Sequence, residues 1–182
     1  STQIRNRGTL AGNVVNASPA GDGILALYLL DAVLEIVKKD NSHKNIRIID
    51  FIKGPGRTSL TVGEFVRSIK IPYMGRNYRS VFRKIGQRKA MAISIASMGL
   101  LIEKKGKMIS DVKIAFGSVA PTVLRITEME QEAFGRELNT ETAEMFSEIV
   151  YRSVTPIDDV RASADYRRKV CRNLVKELIS FN

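Results

Sequence analysis

Apolar positions keep no period at the start of the chain. Residues 1–22 scatter them among glycine, asparagine and serine, a pattern that predicts loop. Ser18-Pro19 then predicts a helix start, because serine can cap free amides and proline suits the first turn. Ile24, Leu25, Leu27, Tyr28 and Leu30 follow as the apolar content of one short buried helix ending near Ala32. Residues 33–37 alternate as a strand, Asp40-Asn41-Ser42-His43 forms a turn that leaves His43 solvated, and residues 46–51 predict a second strand. Lys53-Gly54-Pro55-Gly56-Arg57 predicts a loop, since proline between glycines breaks both regular structures. Phe65, Ile69 and Ile71 share one face of a strand over residues 64–71.

Pro72-Tyr73-Met74-Gly75 is the expected boundary between a first unit, residues 1–72, and a second, residues 76–182. Beyond it, strands are expected over 78–85, 93–103 and 108–117, the last two joined through Lys104-Lys105-Gly106-Lys107 as a hairpin. The period then becomes helical, over 124–134, 140–150 and 164–179. Cys171, Leu174, Val175 and Leu178 fall on one stripe of the last helix, which reads as core packing. Strands followed by helices predict an α+β fold, a three-stranded antiparallel sheet with a helix bundle on one face.

Length and composition narrow the classes. At roughly 150 residues per domain, 182 residues make one domain or two small ones. One cysteine cannot form an internal disulfide, and an iron–sulfur cluster takes about four thiolates. With one histidine besides, a Cys/His zinc site is nearly excluded as well, and low cysteine use fits a reducing, cytoplasmic compartment. The apolar run at residues 23–34 is too short to cross a membrane and is broken by Asp31. The chain begins at Ser1 without methionine and enters a polar, glycine-rich stretch at once, so an upstream part is expected.

Charge changes the picture in two places. The chain carries 29 basic and 19 acidic side chains, net +10. Arg76, Arg79, Arg83, Lys84, Arg88 and Lys89 crowd together with no acid between them. They read as a solvated strand-and-turn surface, as a site for a phosphate-bearing cofactor or acidic partner, or as a nucleic-acid-binding module. Few aromatics sit among them to stack bases. Between Glu128 and Glu148 stand seven glutamates and one arginine, which predicts solvated helix faces. Arg161, just after Asp158-Asp159, predicts a structural ion pair.

The stretch from Ile4 to Asp22 carries the candidate chemistry. Gly8, Gly12 and Gly21 let backbone approach a ligand, while Thr9, Asn13, Asn16 and Ser18 offer neutral donors and acceptors. It fits neither the Rossmann fingerprint nor a Walker loop, so the residues alone leave a dinucleotide cradle and a plain structural loop both open. The segment resembles the second FAD-binding motif of the flavoprotein subunits of the xanthine dehydrogenase and carbon monoxide dehydrogenase family. The matching residues are Thr9-Leu10-Ala11-Gly12-Asn13, then Asn16 to Asp22, then Asp31-Ala32. Further matches follow in order: Ser59-Leu60, Ile71-Pro72, Phe82 to Ala90, Phe116 to Thr122, and Pro156 to Arg161. Ala11 stands where the family usually has glycine.

The resemblance implies the second half of a PCMH-type FAD-binding domain over residues 1–72, followed by the family's C-terminal flavoprotein domain. It makes Thr9, Gly12, Asn13, Asn16, Ser18 and Asp22 FAD contacts, Leu60 a packing contact to the flavin region, and Lys84 a cation near the isoalloxazine edge. It assigns this chain no catalytic residue and no metal ligand. It implies a complex in which a large subunit oxidises substrate at molybdenum, a small subunit carries 2Fe-2S clusters, and FAD passes electrons to NAD or another acceptor. In the family an earlier glycine-rich loop clasps the FAD pyrophosphate. Without it, this chain alone is expected to bind FAD weakly or not at all, with an exposed apolar surface that favours self-association.

Overall fold

The computed structural model describes residues 2–87 and 93–178. Ser1, Arg88, Lys89 and Ala90, together with the expected end of the last helix at Ile179, lie outside the described residues.

The expected loop over residues 1–22 is replaced by two short helices, α1 (Thr2–Arg7) and α2 (Leu10–Asn16). Capping explains α2. Thr9 Oγ1 accepts from the Gly12 N–H at 2.9 Å, and Ala17, left-handed at φ 49°, donates its N–H to the Val14 carbonyl. Val14 is wholly buried. Two satisfied ends and one buried valine outweigh a mid-helix glycine, which costs about 1 kcal/mol against alanine. Ala11 lies inside this helix, so alanine in place of the family's glycine meets no positive-φ strain.

Helix α3 (Asp22–Leu29) starts at Asp22, not at Ser18 as expected. Ser18-Pro19-Ala20-Gly21 is instead a turn, in which Gly21 N–H donates to the Ser18 carbonyl at 2.9 Å and Ala20 N–H to Ser18 Oγ at 3.3 Å. A proline one position after a serine suits a turn as well as it suits a helix start.

Strand β1 (Val33–Val37) pairs with β2 (His43–Arg47) in antiparallel register. The expected strand over 46–51 is split, because helix α4 (Ile48–Phe51) follows β2 and buries Ile48 and Phe51 three positions apart, a helical spacing. The expected loop at residues 53–57 is a small hairpin of β3 (Ile52–Gly54) and β4 (Arg57–Thr58). Strand β5 (Phe65–Lys70) closes the first sheet in the order β2-β1-β5. His43 is not a free turn residue. It opens β2, with Nδ1 3.0 Å from Glu35 Oε1.

The second sheet is antiparallel throughout: β6 (Arg79–Ile85), β7 (Ala96–Lys105), β8 (Met108–Gly117) and β9 (Leu124–Arg125) stand in that order. The three expected strands form it, and the two residues of β9 extend its edge. Helices α5 (Thr127–Ala133), α6 (Thr140–Ser153) and α7 (Ala164–Lys176) follow. Asn139 caps α6 through Thr142 N–H, and Ser163 caps α7 through Tyr166 N–H. The α+β architecture expected of the chain is the one observed.

Both faces of this sheet are covered. Ala96, Met98, Leu100 and Ile102 of β7 join Val112, Ile114 and Phe116 of β8 under the C-terminal helices, against Phe146, Ile149, Cys171 and Val175. Leu101 and Ala115 face the other way and join Leu25 and Leu29 of α3. Strand β7 is therefore buried without alternation. Gly99 makes the second contact possible: a Cβ there would stand 2.5 Å from Leu29 Cδ1 and press on Leu25 as well.

An ion network fixes the far end of α3. Asp31, left-handed at φ 48°, pairs with Lys113 of β8 and with Arg125 of β9 at 2.5 Å. Arg125 also donates to the Tyr28 carbonyl and reaches both Glu130 oxygens, at 2.7 and 2.9 Å. Glu130, expected on a solvated face, thus turns inward and also accepts from the Ile114 N–H. Glu128, Glu144 and Glu148 do lie outside, but they pair with Arg152, Lys176 and Arg172.

Candidate functional site

Helix α2 and the start of α3 meet side on. A Cβ on Gly23 would stand 2.7 Å from Asn13 Oδ1, so the Asn13 amide lies directly against α3. That oxygen is buried and has no hydrogen-bond partner among the described residues. An unmet buried acceptor costs about 1–3 kcal/mol, which makes this oxygen a candidate for a further donor. Thr9 spends its oxygen on the Gly12 N–H and keeps its hydroxyl hydrogen for another acceptor. Gly12 is tight beneath it, since a Cβ would come 2.9 Å from Thr9 Oγ1.

One turn further on, the two halves of the chain touch. Lys84 Nζ on β6 donates to Asp22 Oδ2 at 2.6 Å, with both side chains partly exposed. An ammonium has three hydrogens, and this bond uses one. The free hydrogens can meet a carbonyl or an anionic edge, and Asp22 Oδ1 can accept from an imide or hydroxyl. Ser94, buried beside them, brings its Oγ to 3.5 Å from Asp22 Oδ1. Sequence reasoning passed over Ser94, whose signal was one polar residue between Ile93 and Ile95.

The remaining expected contacts are placed less closely. Leu60 is half-buried and packs on the cluster that holds Val14 and Ile24. Asn16 is exposed at the end of α2. Ser18 lines a cavity of about 390 Å³ with Pro19, Ala20, Ile93, Ser118 and Arg167. Among the described residues no hydrogen bond joins Asn16, Ser18 or Leu60 to the Asp22–Lys84 pair.

Several other candidates resolve into structure. Arg161 Nε lies 3.6 Å from Asp159 Oδ2, the expected ion pair. Cys171 is wholly buried, and burial pushes its thiol up to about 12. In the basic run, Arg83 pairs with Glu177 and Lys84 with Asp22, so part of that charge is already neutralised. Among the described residues no helix is long and apolar enough to cross a membrane.

The donor set suits FAD. It comprises an unmet amide oxygen and a free hydroxyl hydrogen at α2, a carboxylate at the start of α3 and an ammonium on β6.

Known proteins resemble this chain over nearly its whole length. Residues 81–180 match the family model of the CO dehydrogenase flavoprotein C-terminal domain. Residues 1–74 match that of the FAD binding domain in molybdopterin dehydrogenase. The glyceraldehyde dehydrogenase medium chain of Sulfolobus acidocaldarius is 34% identical over 172 residues, 94% of this chain and 60% of that one. The putative xanthine dehydrogenase FAD-binding subunit of Escherichia coli is 32% identical over 182 residues, 98% of this chain and 61% of that one. The carbon monoxide dehydrogenase of Hydrogenophaga pseudoflava shares the fold, with a TM-score of 0.91 at 23% identity over 97% of this chain and 61% of that one. The chain thus spans about 60% of the length of the curated relatives it matches. Two consecutive family models account for nearly every residue, and the chain belongs to the family of FAD-binding flavoprotein subunits of the carbon monoxide dehydrogenase and xanthine dehydrogenase type.

Proposed function

We propose that this chain contributes to the FAD site of the medium subunit of a molybdenum hydroxylase complex. In this reading residues 1–72 are the second half of the flavin domain and residues 76–182 its C-terminal companion. Thr9, Gly12, Asn13, Asn16, Ser18, Asp22, Leu60 and Lys84 are the cofactor contacts. The observation that carries the reading is the meeting of Asp22 and Lys84, one from each matched family segment, beside the unmet oxygen of Asn13.

Bound FAD would supply the two-electron redox chemistry. The chain's own part is binding and electrostatics. Asn13 and Thr9 orient the polar body of the cofactor. Lys84 places a positive charge where electron density grows on reduction, which favours the reduced state. Asp22 holds the Lys84 ammonium in place. A molybdenum-binding large subunit and an iron–sulfur small subunit are the expected partners, electrons leave to NAD or another acceptor, and the complex works in the cytoplasm.

The test is flavin content in the native assembly. Asn13→Leu and Ser18→Leu each remove a polar contact, at about 1–3 kcal/mol per orphaned partner. Both are expected to lower flavin occupancy. Undiminished flavin in both variants would remove the site from this part of the chain.

A further inference from the structure

Hydrogen bonds connect the Asp22–Lys84 pair to a residue that lies neither on α3 nor on β6. Arg167, on α7, is 2% exposed. Its guanidinium binds three separate segments: Nη1 donates to the Ile95 carbonyl at 2.6 Å and the Ser118 carbonyl at 2.9 Å, and Nη2 donates to Asp159 Oδ1 at 2.6 Å. Asp159 is held in turn by the N–H groups of Arg161 and Ala162. Those bonds, with the Arg167 charge, keep its carboxyl below the usual range against the opposing effect of desolvation.

From these anchors, two backbone routes and one side-chain route lead to the pair. Ser118 N–H donates to the Pro19 carbonyl at 2.9 Å, three residues before Asp22. Ile95 N–H donates to the Ile85 carbonyl at 2.8 Å, and Ile85 follows Lys84. Ser94, next to Ile95, brings its hydroxyl to Asp22. Ser118 is itself left-handed at φ 66°, a conformation costly for a residue with a Cβ, and the two bonds at its N–H and carbonyl hold it there. A buried ion pair is weak evidence for stability, and its best-attested use is to fix register and arrangement.

We propose that Arg167 is a positioning residue for the flavin-facing pair, setting the separation of Asp22 and Lys84 from the C-terminal helix through Ser118 and Ile95. The proposal rests on the flavin reading for its functional meaning, but its structural content is testable without flavin.

The experiment is NMR of the chain with labelled aspartate and lysine side chains, comparing the parent with Arg167→Met, Arg167→Lys and Val175→Ala. Val175→Ala loosens the same helix at a buried site that bonds neither Ile95 nor Ser118. Arg167→Met is expected to shift the Asp22 and Lys84 signals and weaken their mutual contacts, while Asp31 and Lys113 at the far end of α3 keep theirs. Arg167→Lys should recover part of the parent pattern, and it carries the test if Arg167→Met does not fold. Unmoved Asp22 and Lys84 signals in a folded Arg167 variant would overturn the proposal, as would equal movement in Val175→Ala. With FAD bound, Arg167→Lys is expected to weaken affinity about tenfold, the scale of one lost hydrogen bond. The NMR outcome decides the role of Arg167 whether or not the chain alone takes up FAD, and the flavin reading is decided separately by flavin content in the native assembly.

Discussion

The ammonium of Lys84 stands 2.6 Å from the carboxylate of Asp22 across 62 positions of sequence, and this contact joins the flavin-domain segment to the C-terminal sheet. As an exposed ion pair it stabilises the fold by at most about 1 kcal/mol. Its weight lies in where it puts a positive charge. Lys84→Met should therefore leave the fold intact, with thermal unfolding close to the parent. In the FAD-loaded protein the reduction potential should become more negative, because the cation that favours the reduced cofactor is gone. An unchanged potential, measured by dye equilibration, would separate Lys84 from the flavin.

Gly99 decides how closely α3 can lie on the sheet. An added methyl would overlap Leu25 and Leu29, both buried, so neither side chain can swing into solvent. Overpacking of this kind typically costs about 1–3 kcal/mol. Gly99→Ala should lower the unfolding midpoint by several degrees, since about 1 kcal/mol moves a chain of this size by ~2–4 °C. Shortening Leu29 to alanine in the same chain should recover part of the loss. Strict additivity of the two changes would mean that they do not meet.

Much of this fold is legible in the sequence because its signals are local. The strands β1 and β8 and the helices α6 and α7 follow their apolar periods and caps, and β7 reads as one long apolar run. The N-terminal helix α2 is not legible, because its sequence, Leu10-Ala11-Gly12-Asn13-Val14-Val15-Asn16, is poor in helix formers; a threonine cap and one buried valine decide it. The split of the expected strand at Ile48 depends on which side chains find the core, and that is a tertiary fact. The candidate site divides the same way. Its residue types are visible as a motif, whereas the meeting of Lys84 and Ser94 with Asp22 comes from chain segments far apart in sequence.

Glu35 offers a clean titration. The Ser68 hydroxyl and the His43 ring bond its carboxylate, and Lys70 and Arg67 add positive charge, so its pKa falls from 4.5 to about 2. A depressed carboxyl stabilises the folded chain above its ordinary pKa, and that contribution fades as pH falls from 4.5 toward about 2. Ser68→Ala removes the largest cause. Carbon-detected NMR should show Glu35 titrating higher in this variant than in the parent. Identical titration curves would show that the sheet surface, and not Ser68, sets the shift.

Asp31 is the second pH-dependent group, and its backbone adds an independent handle. It occupies the left-handed region at φ 48°, where glycine and asparagine are the residues most at ease. What holds an aspartate there is its carboxylate, shared between Lys113 and Arg125. Burial by itself would raise its pKa, but the hydrogen bond from Lys113 and the charge of Arg125 outweigh that and bring it below 3.8. The network therefore stabilises the fold above the ordinary aspartate range and loses that contribution as pH drops through the lower, folded value. Asp31→Asn keeps the backbone comfortable and removes the charge. Partial exposure screens the pair, so the expected loss at neutral pH is about 1 kcal/mol. Asp31→Gly should lose the same charge while relaxing the backbone further, and Asp31→Ala should be the least stable of the three because it has neither remedy. Urea unfolding at neutral and acid pH tests all of this at once. The gap between the parent and Asp31→Asn should narrow as pH falls, since the parent's own carboxylate becomes protonated. A gap that stays constant with pH would mean that the contact acts through shape and hydrogen bonding rather than charge.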